Sequence, residues 1–235
     1  MPADAKQIDP LDRDDSFEIF DDFLDYNTGD LWTSLVADTG SAVAAAGGQG
    51  GILTLTAGGD DNDECAVAST NTLYLLAANK PAVARSRIQF TNADSLAANF
   101  ATGLSSIFTA NFITDNGAGL AASFSGAVWF KKDQDTYWSV ATSNGATQTI
   151  TRTNISAGVA DYVQLEVRIT PYSSANAEVT FHYNGQQARD ANGDPIKHVL
   201  AIASIAAMKL GAYLKQGGST AQTASVDYLT MRAKR

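Results

Sequence analysis

The feature that most constrains the fold of this chain is a strict alternation of apolar and polar residues within short segments. In residues 162–170 (YVQLEVRIT), every second position from Val163 to Ile169 is apolar and the positions between are polar. Because successive side chains of a strand point to opposite faces, this pattern predicts a strand with one buried face. Further strand-length segments of this kind occur at residues 52–56, 83–90, 177–183, 209–215 and 225–231.

Asparagine–glycine pairs follow or separate several of these segments. Both residues of such a pair readily adopt the positive φ angles that two-residue hairpin turns require, so the pairs predict antiparallel neighbours. They are Asn116-Gly117, Asn144-Gly145, Asn184-Gly185 and Asn192-Gly193.

Two alanine-rich segments, residues 41–51 and 199–207, are ambiguous in secondary structure. Both can form a short helix, and the second fits a buried strand followed by a loop equally well. The sequence contains no long helical period, no repeat and no linker. About a dozen short strands without an internal boundary predict one all-β domain, an antiparallel two-sheet jelly-roll sandwich.

Negative charge is concentrated at the start of the chain. Residues 1–30 contain ten acidic and two basic residues, whereas the remaining residues are nearly neutral. Residues 1–16 also have few large apolar side chains, which predicts an extended, flexible N-terminal arm before a sandwich at residues 17–235. The arm is either a solubilising tail or a segment that orders on a neighbouring subunit. Its candidate contact residues are Asp4, Asp9, Asp12, Arg13, Asp14 and Asp15.

Charge and composition exclude several partners and compartments. A net charge of −9 disfavours nucleic acid as a ligand. No apolar stretch is long enough for a membrane span, and the N-terminus lacks the pattern of a signal peptide. The single cysteine, Cys65, cannot form an intramolecular disulfide. We therefore expect a protein that is synthesised in the cytoplasm and binds neither nucleic acid nor a membrane.

A set of short motifs resembles a known family. They begin with FDDF at residues 20–23 and GGILTLT at residues 50–56, which resemble the first strands of concanavalin A-like (laminin-G-like) jelly rolls. Taken with these, later segments resemble virion proteins of tailed bacteriophages encoded near the major capsid protein. These segments are DDNDE at residues 60–64, VWFKKDQDTYW at residues 128–138, VTFHYNG at residues 179–185 and VDYL at residues 226–229.

This resemblance implies a non-enzymatic capsid decoration, or cement, protein. Such a protein binds the outer surface of the major capsid protein shell and stabilises it against rupture. The resemblance further implies a virion location and a homo-oligomer, with a trimer expected before a dimer. The acidic arm would then extend along a neighbouring subunit.

Because relatives of this fold include glucanases, the acidic residues have to be tested for catalysis. Glucanases place two carboxylates on one strand face at retaining distance. The four glutamates here are Glu18, Glu64, Glu166 and Glu178, and none is followed by the required acidic partners. The histidines are predicted on the outer face of a strand (His182) and in a loop (His198), with no nucleophile motif beside them. The sequence therefore predicts no catalytic residues and no enzyme.

Two loops offer oxygen ligands at a spacing that calcium loops use. In residues 60–64 and 190–194, acidic and amide side chains alternate, but neither loop completes a calcium-binding pattern. Ordinary turns are therefore favoured over metal sites. Zinc is disfavoured because Cys65, His182 and His198 are too few and too scattered. We expect no metal and no cofactor.

Aromatic residues leave one alternative function open. Trp129, Tyr137 and Trp138 flank a polar segment at residues 131–136. Aromatic rings stack on the apolar faces of sugars, but the same residues also fill protein cores. Core packing is favoured for each, and the alternative is a lectin-like carbohydrate-binding module that contacts glycans on a host surface.

Overall fold

The computed structural model describes residues 15–46, 51–90, 97–114, 118–121, 123–158 and 160–235. Those residues form strands joined by turns and loops, and none of them lies in an α-helix. The strands of the first half are β1 (Ser16–Asp21), β2 (Trp32–Val36), β3 (Ala42–Ala46), β4 (Ile52–Ala57), β5 (Glu64–Ser69), β6 (Ala82–Phe90), β7 (Ala98–Ser105), β8 (Ile113–Thr114) and β9 (Gly119–Leu120). Those of the second half are β10 (Ser125–Lys131), β11 (Tyr137–Asn144), β12 (Gln148–Ser156), β13 (Val163–Pro171), β14 (Asn176–Tyr183), β15 (Gln186–Gln187), β16 (Lys197–Ala201), β17 (Lys209–Gln216) and β18 (Gln222–Lys234).

The strands form two large antiparallel sheets, which confirms the predicted all-β sandwich. The nine-stranded sheet has the order β15-β14-β13-β6-β18-β4-β3, with β1 paired to β18 and β16 paired to β14. The seven-stranded sheet has the order β12-β11-β10-β7-β17-β5-β2. Strands distant in sequence, such as β6 and β18, pair through the centre of the first sheet.

The N-terminal strand begins one residue inside the predicted arm. Ser16 is the first residue of β1 and lies opposite Lys234 of β18. The backbone N–H of Arg235 donates to the carbonyl of Asp15 at 2.7 Å. The other proposed contact residues of the arm, which are Asp4, Asp9, Asp12, Arg13 and Asp14, lie outside the described residues.

The main hydrophobic core lies between the two sheets. It is built from the alternating apolar residues that the sequence indicated, such as Leu165, Val167 and Ile169 of β13. The seven-stranded sheet contributes Phe100, Trp129 and other side chains to the same cluster. Burial of alternate residues from both sheets is what fixes the register of each strand.

A second hydrophobic cluster covers the opposite, outer face of the seven-stranded sheet. Phe108, Phe112 and Phe124 come from the long β7–β10 connection and pack on Val128 and Tyr213 of the sheet. Strands β5, β7 and β10 are therefore buried along their whole length. This explains why these strands lack the clear alternation seen in β13.

Several local predictions can be compared with the strands. In the alanine-rich segments, residues 42–46 form β3 and residues 199–201 belong to β16, and each strand pairs with a neighbour, whereas residues 47–50 lie outside the described residues. The placement of His198 in a loop is wrong, because it lies within β16 and is buried.

Asn144-Gly145 joins β11 to β12, and Asn184-Gly185 joins β14 to β15 with positive φ at both residues. Asn116-Gly117 lies outside the described residues.

Candidate functional site

The structure places two of the three candidate glycan-contacting aromatics in the core. Trp129 and Trp138 are 0% and 1% exposed, and their rings meet edge to face with centroids 6.3 Å apart. The indole N–H of Trp129 donates to the carbonyl of Glu166 in the opposite sheet at 3.0 Å. The hypothesis that these two residues contact a glycan is therefore wrong, because both rings face the neighbouring sheet.

Tyr137, the third candidate, lies at the surface beside a small groove. The groove is on the outer face of the seven-stranded sheet and has a volume of about 190 Å³. Its floor is apolar, formed by Phe130 and the half-exposed Ile150, and Ala118 and Gly119 border it. Its polar lining consists of Lys132, Asp135, Ser139 and Arg152.

The antiparallel register of β11 and β12 explains why Ser139, Arg152 and Ile150 lie together in the groove. Ser139 of β11 lies directly opposite Arg152 of β12, and Ala141 lies opposite Ile150 two residues further along. Residues at intervals of two share a face, so Arg152 and Ile150 project to the outer side together. The pairing shifts between Tyr137 and Ser139, which is a local irregularity at the end of the groove.

An ion pair fixes the polar end of the groove. The Arg152 guanidinium donates to Asp135 through Nε at 3.0 and 3.1 Å and through Nη2 at 2.9 Å. The guanidinium carbon also lies 4.1 Å from the centre of the Tyr137 ring. The carboxylate and the tyrosine ring therefore hold the Arg152 guanidinium between them, which fixes its position in the groove.

The Asp135 carboxyl is charged at neutral pH. Partial burial alone would raise its pKa, but hydrogen bonds from Arg152 and from the backbone N–H of Tyr137 lower that pKa below its usual value. The same ion pair raises the pKa of Arg152. The groove thus combines a fixed carboxylate, a fixed guanidinium and the Ser139 hydroxyl with an apolar floor, and the Tyr137 ring lies against its arginine. These groups can bind a polar ligand that has one apolar face.

The sequence located only part of this site. It singled out Tyr137 and the polar segment at residues 131–136, which contains Lys132 and Asp135. It missed Arg152 and Ile150, because their position depends on the β11–β12 register. The Asn144-Gly145 turn was the signal that could have predicted that pairing.

The two loops considered as calcium sites use their oxygens for internal hydrogen bonds. Asp190 Oδ1 accepts from the backbone N–H groups of Asn192 and Asp194, both at 2.9 Å. The buried Glu64 carboxylate accepts from the backbone N–H of Asn111 at 3.0 and 2.9 Å and from the Tyr213 hydroxyl. Within the part of the chain that the structure describes, no group of three or more histidine, cysteine or acidic residues could hold a metal ion.

The remaining titratable candidates are also held within the fold. Cys65 is buried in β5, and burial raises the pKa of its thiol to about 12. His198 is hydrogen-bonded to Thr142 at 3.1 Å and to Thr151 at 2.9 Å.

In the described part of the chain, no helix is both long and apolar enough for a membrane span.

Comparison with known proteins identifies the fold. No family model matches the chain, and no curated protein matches it by sequence. Among solved structures, peanut lectin in complex with a nine-residue peptide superposes with a TM-score of 0.57 at 10% identity, over 93% of this chain and 97% of the lectin. An endo-1,3-beta-glucanase from Streptomyces sioyaensis superposes with a TM-score of 0.57 at 12% identity, over 96% and 99% of the two chains.

A further match is the exoplasmic/lumenal domain of VIP36, in a form bound to Ca²⁺ and Man3GlcNAc. It gives a TM-score of 0.53 at 12% identity and covers 94% of this chain and 89% of that domain. The chain therefore has the concanavalin A-like, legume-lectin-like jelly-roll fold. At these identities the likeness concerns the fold alone.

Proposed function

We propose that this protein is a non-enzymatic, lectin-like carbohydrate-binding domain. The observation that carries the proposal is the groove in which Asp135, Ser139 and Arg152 border an apolar floor, with the Tyr137 ring packed against Arg152 beside it. Sugar rings present an apolar face for aromatic contact and hydroxyl groups for hydrogen bonds, and this groove offers partners for both. Fold-level similarity to the exoplasmic/lumenal domain of VIP36, whose structure holds Man3GlcNAc, supports it.

The size of the groove limits the ligand. Its volume of about 190 Å³ is below the roughly 300–1,000 Å³ of pockets that enclose drug-sized ligands. A single ring at the end of a glycan fits such an open site, with the rest of the glycan in solvent. We therefore expect weak binding per site, in the millimolar to micromolar range, that multivalent display strengthens.

A glycan array with purified protein tests this function. The wild type is expected to bind a subset of neutral glycans, and Arg152→Gln is expected to lose that signal because Asp135 and Tyr137 lose their shared partner. Arg189→Gln is the matched control, since Arg189 is exposed and lies outside the groove. Loss of signal in both variants, or in neither, would contradict the assignment of the site.

The absence of enzymatic activity is part of the proposal. Glu166 is enclosed by Arg85 and Arg168, which hold its carboxylate in ion pairs. A paired, charged carboxylate is a poor proton donor for glycoside hydrolysis. A reducing-sugar assay against β-glucans tests this, and turnover that Glu166→Gln abolishes would contradict it.

A second candidate function is the capsid-decoration role implied by the sequence resemblance. Three large apolar side chains near the start of the fold favour an assembly surface: Phe20, Leu24 and Leu31 are 59%, 69% and 37% exposed. They follow the acidic N-terminal residues, so a neighbouring subunit or the major capsid protein could bind both. In this role the protein is a homo-oligomer, a trimer before a dimer, on the virion surface.

The second candidate function is tested by the protein composition of purified virions, measured as the number of copies of this chain per copy of the major capsid protein. A ratio near one supports decoration of the shell, whereas absence from virions removes the candidate. A handful of copies would move the protein to the tail or a fibre and also contradict a decoration role.

A further inference from the structure

A second groove lies on the outer face of the nine-stranded sheet, on a different sheet from the Tyr137 groove. It has a volume of about 410 Å³, within the usual range for small-ligand sites. Three arginines line it: Arg85 of β6, Arg168 of β13 and Arg232 of β18. We call it the arginine groove.

Strand register places the three arginines around one small side chain. Arg168 lies directly opposite Val83 on one side, and Arg232 lies directly opposite Val83 on the other. Arg85 is two residues along β6 from Val83 and therefore projects from the same face. Directly opposite side chains start about 5 Å apart, so three long guanidinium side chains can reach a single group above Val83.

A buried carboxylate holds two of these arginines in place. Glu166 is 2% exposed and accepts hydrogen bonds from Nε of Arg85 and Nε of Arg168. Its burial opposes ionisation, but the two guanidinium groups outweigh that effect and lower the pKa of Glu166. Because only the Nε atoms are used, the terminal nitrogens of both arginines keep their donors available to a ligand.

The charge of the groove selects an anion. Among the residues that the structure describes, three guanidinium groups face the carboxylates of Glu166, which pairs with two of them, and of Glu18 at the rim, so the described lining is net positive. Guanidinium forks match the two oxygens of a carboxylate. Thr170 and Thr230 also line the groove; the Thr230 hydroxyl donates to the carbonyl of Ile19 at 2.8 Å, so its oxygen can only accept a hydrogen bond from a polyhydroxylated ligand.

We propose that the arginine groove binds the carboxylate of an acidic sugar, such as a uronic acid residue. The sugar carboxylate would bind above Val83 between the terminal nitrogens of Arg85 and Arg168. The site does not involve Tyr137 or Arg152, so it is independent of the neutral-glycan groove.

The test is a titration of the full chain with sodium D-glucuronate, with D-glucose as the neutral match and inorganic sulfate and glucose 6-sulfate as competing anions. Glucuronate is expected to bind at least tenfold more tightly than glucose, and more tightly than either sulfate probe. Arg85→Gln is expected to weaken glucuronate binding about tenfold, because it removes one charged donor.

Two further variants make the result specific to the groove. Arg87→Gln is the matched control, since Arg87 lies on the same strand and face, is equally exposed and is paired with Asp227, but does not line the groove. Glu18→Gln, at an exposed position of the rim, is expected to strengthen binding several-fold. Equal effects of Arg85→Gln and Arg87→Gln, equal binding of glucose, or tighter binding of sulfate esters would overturn the proposal.

Discussion

At the scale of single residues, the two tryptophans at the centre of the core differ in how their N–H groups are satisfied. The Trp129 indole donates to the Glu166 carbonyl across the sandwich. The Trp138 indole N–H is buried and has no hydrogen-bond partner among the described residues. Both rings fill similar space in the core. A comparison of the two residues therefore separates the contribution of one inter-sheet hydrogen bond to the free energy of unfolding from the contribution of packing.

Replacement of each tryptophan by phenylalanine tests this difference. Both substitutions leave a void, which costs about 1–3 kcal/mol of the free energy of unfolding. Trp129→Phe is expected to cost about 1 kcal/mol more, because it leaves the Glu166 carbonyl buried without its donor. Urea unfolding of both variants measures the difference, and equal losses would contradict it.

A buried histidine makes stability depend on pH. Burial lowers the pKa of His198 to about 4, so its ring stays neutral in the folded protein at pH 5–6. In the unfolded chain its pKa is about 6.5, so the unfolded state takes up the proton first as the pH falls. Stability is therefore lost between about pH 6.5 and pH 4, by up to about 2–3 kcal/mol.

Urea unfolding at pH 7 and at pH 4.5 measures this loss, with His198→Gln as the comparison. The variant is expected to lose less stability, because it lacks the buried histidine. Some loss is expected to remain, because the pKa of His182 is also lowered in the folded protein. An NMR titration that gives His198 a pKa near 6.5 would contradict this explanation.

At the scale of elements, the β7–β10 connection acts as a third layer. Phe112 is fully buried against Phe108, Phe124 and Tyr213, on the face of the sheet that points away from the main core. The seven-stranded sheet is thus covered on both faces near its centre, while β12 at its edge stays largely exposed. The Tyr137 groove lies where this cover ends, between β9 and β12.

Truncation of Phe112 tests the role of this layer. Phe112→Ala is expected to reduce the free energy of unfolding by about 3–5 kcal/mol, because it opens a cavity beneath the connection. Ile150→Ala, at a half-exposed position on the same face, is the control and is expected to cost much less. Similar losses in the two variants would show that the connection does not pack as a layer.

Secondary structure was the most predictable level of this molecule. Alternation identified β13 and β14, and Asn-Gly pairs identified two of the hairpins, because both signals are local. The cover of the seven-stranded sheet was not predictable, since strands buried on both faces lose their alternation. The partners of Arg152, Arg85 and Arg168 were not predictable either, because each depends on which strands become neighbours.

At the scale of the whole molecule, the sandwich has two chemically different surfaces. The seven-stranded sheet presents the Tyr137 groove, whose charged lining consists of Lys132 and the Asp135–Arg152 ion pair beside an apolar floor. The nine-stranded sheet presents the arginine groove. One rigid body with these two faces could bind neutral and acidic parts of a glycan independently.

The assembly hypothesis also belongs to this scale. If Phe20 and Leu24 form a subunit contact, the double variant Phe20→Ser/Leu24→Ser is expected to shift an oligomer to monomers in mass photometry. Val199→Ser is the control, since Val199 is 64% exposed and lies in β16 of the same sheet, apart from β1. A monomeric wild type, or an unchanged oligomer in the double variant, would contradict this contact.

The most direct test of carbohydrate binding at the Tyr137 groove is a calorimetric titration with the neutral glycan that gives the strongest array signal. Wild type, Tyr137→Ala and Tyr172→Ala are compared, because the Tyr137 ring packs against Arg152 of the groove, whereas Tyr172 is 60% exposed and does not line the groove. We predict at least a tenfold loss of affinity for Tyr137→Ala, because Arg152 loses the ring that positions it, and no change for Tyr172→Ala. Unchanged affinity in Tyr137→Ala, or no binding of any glycan by the wild type, would contradict the assignment.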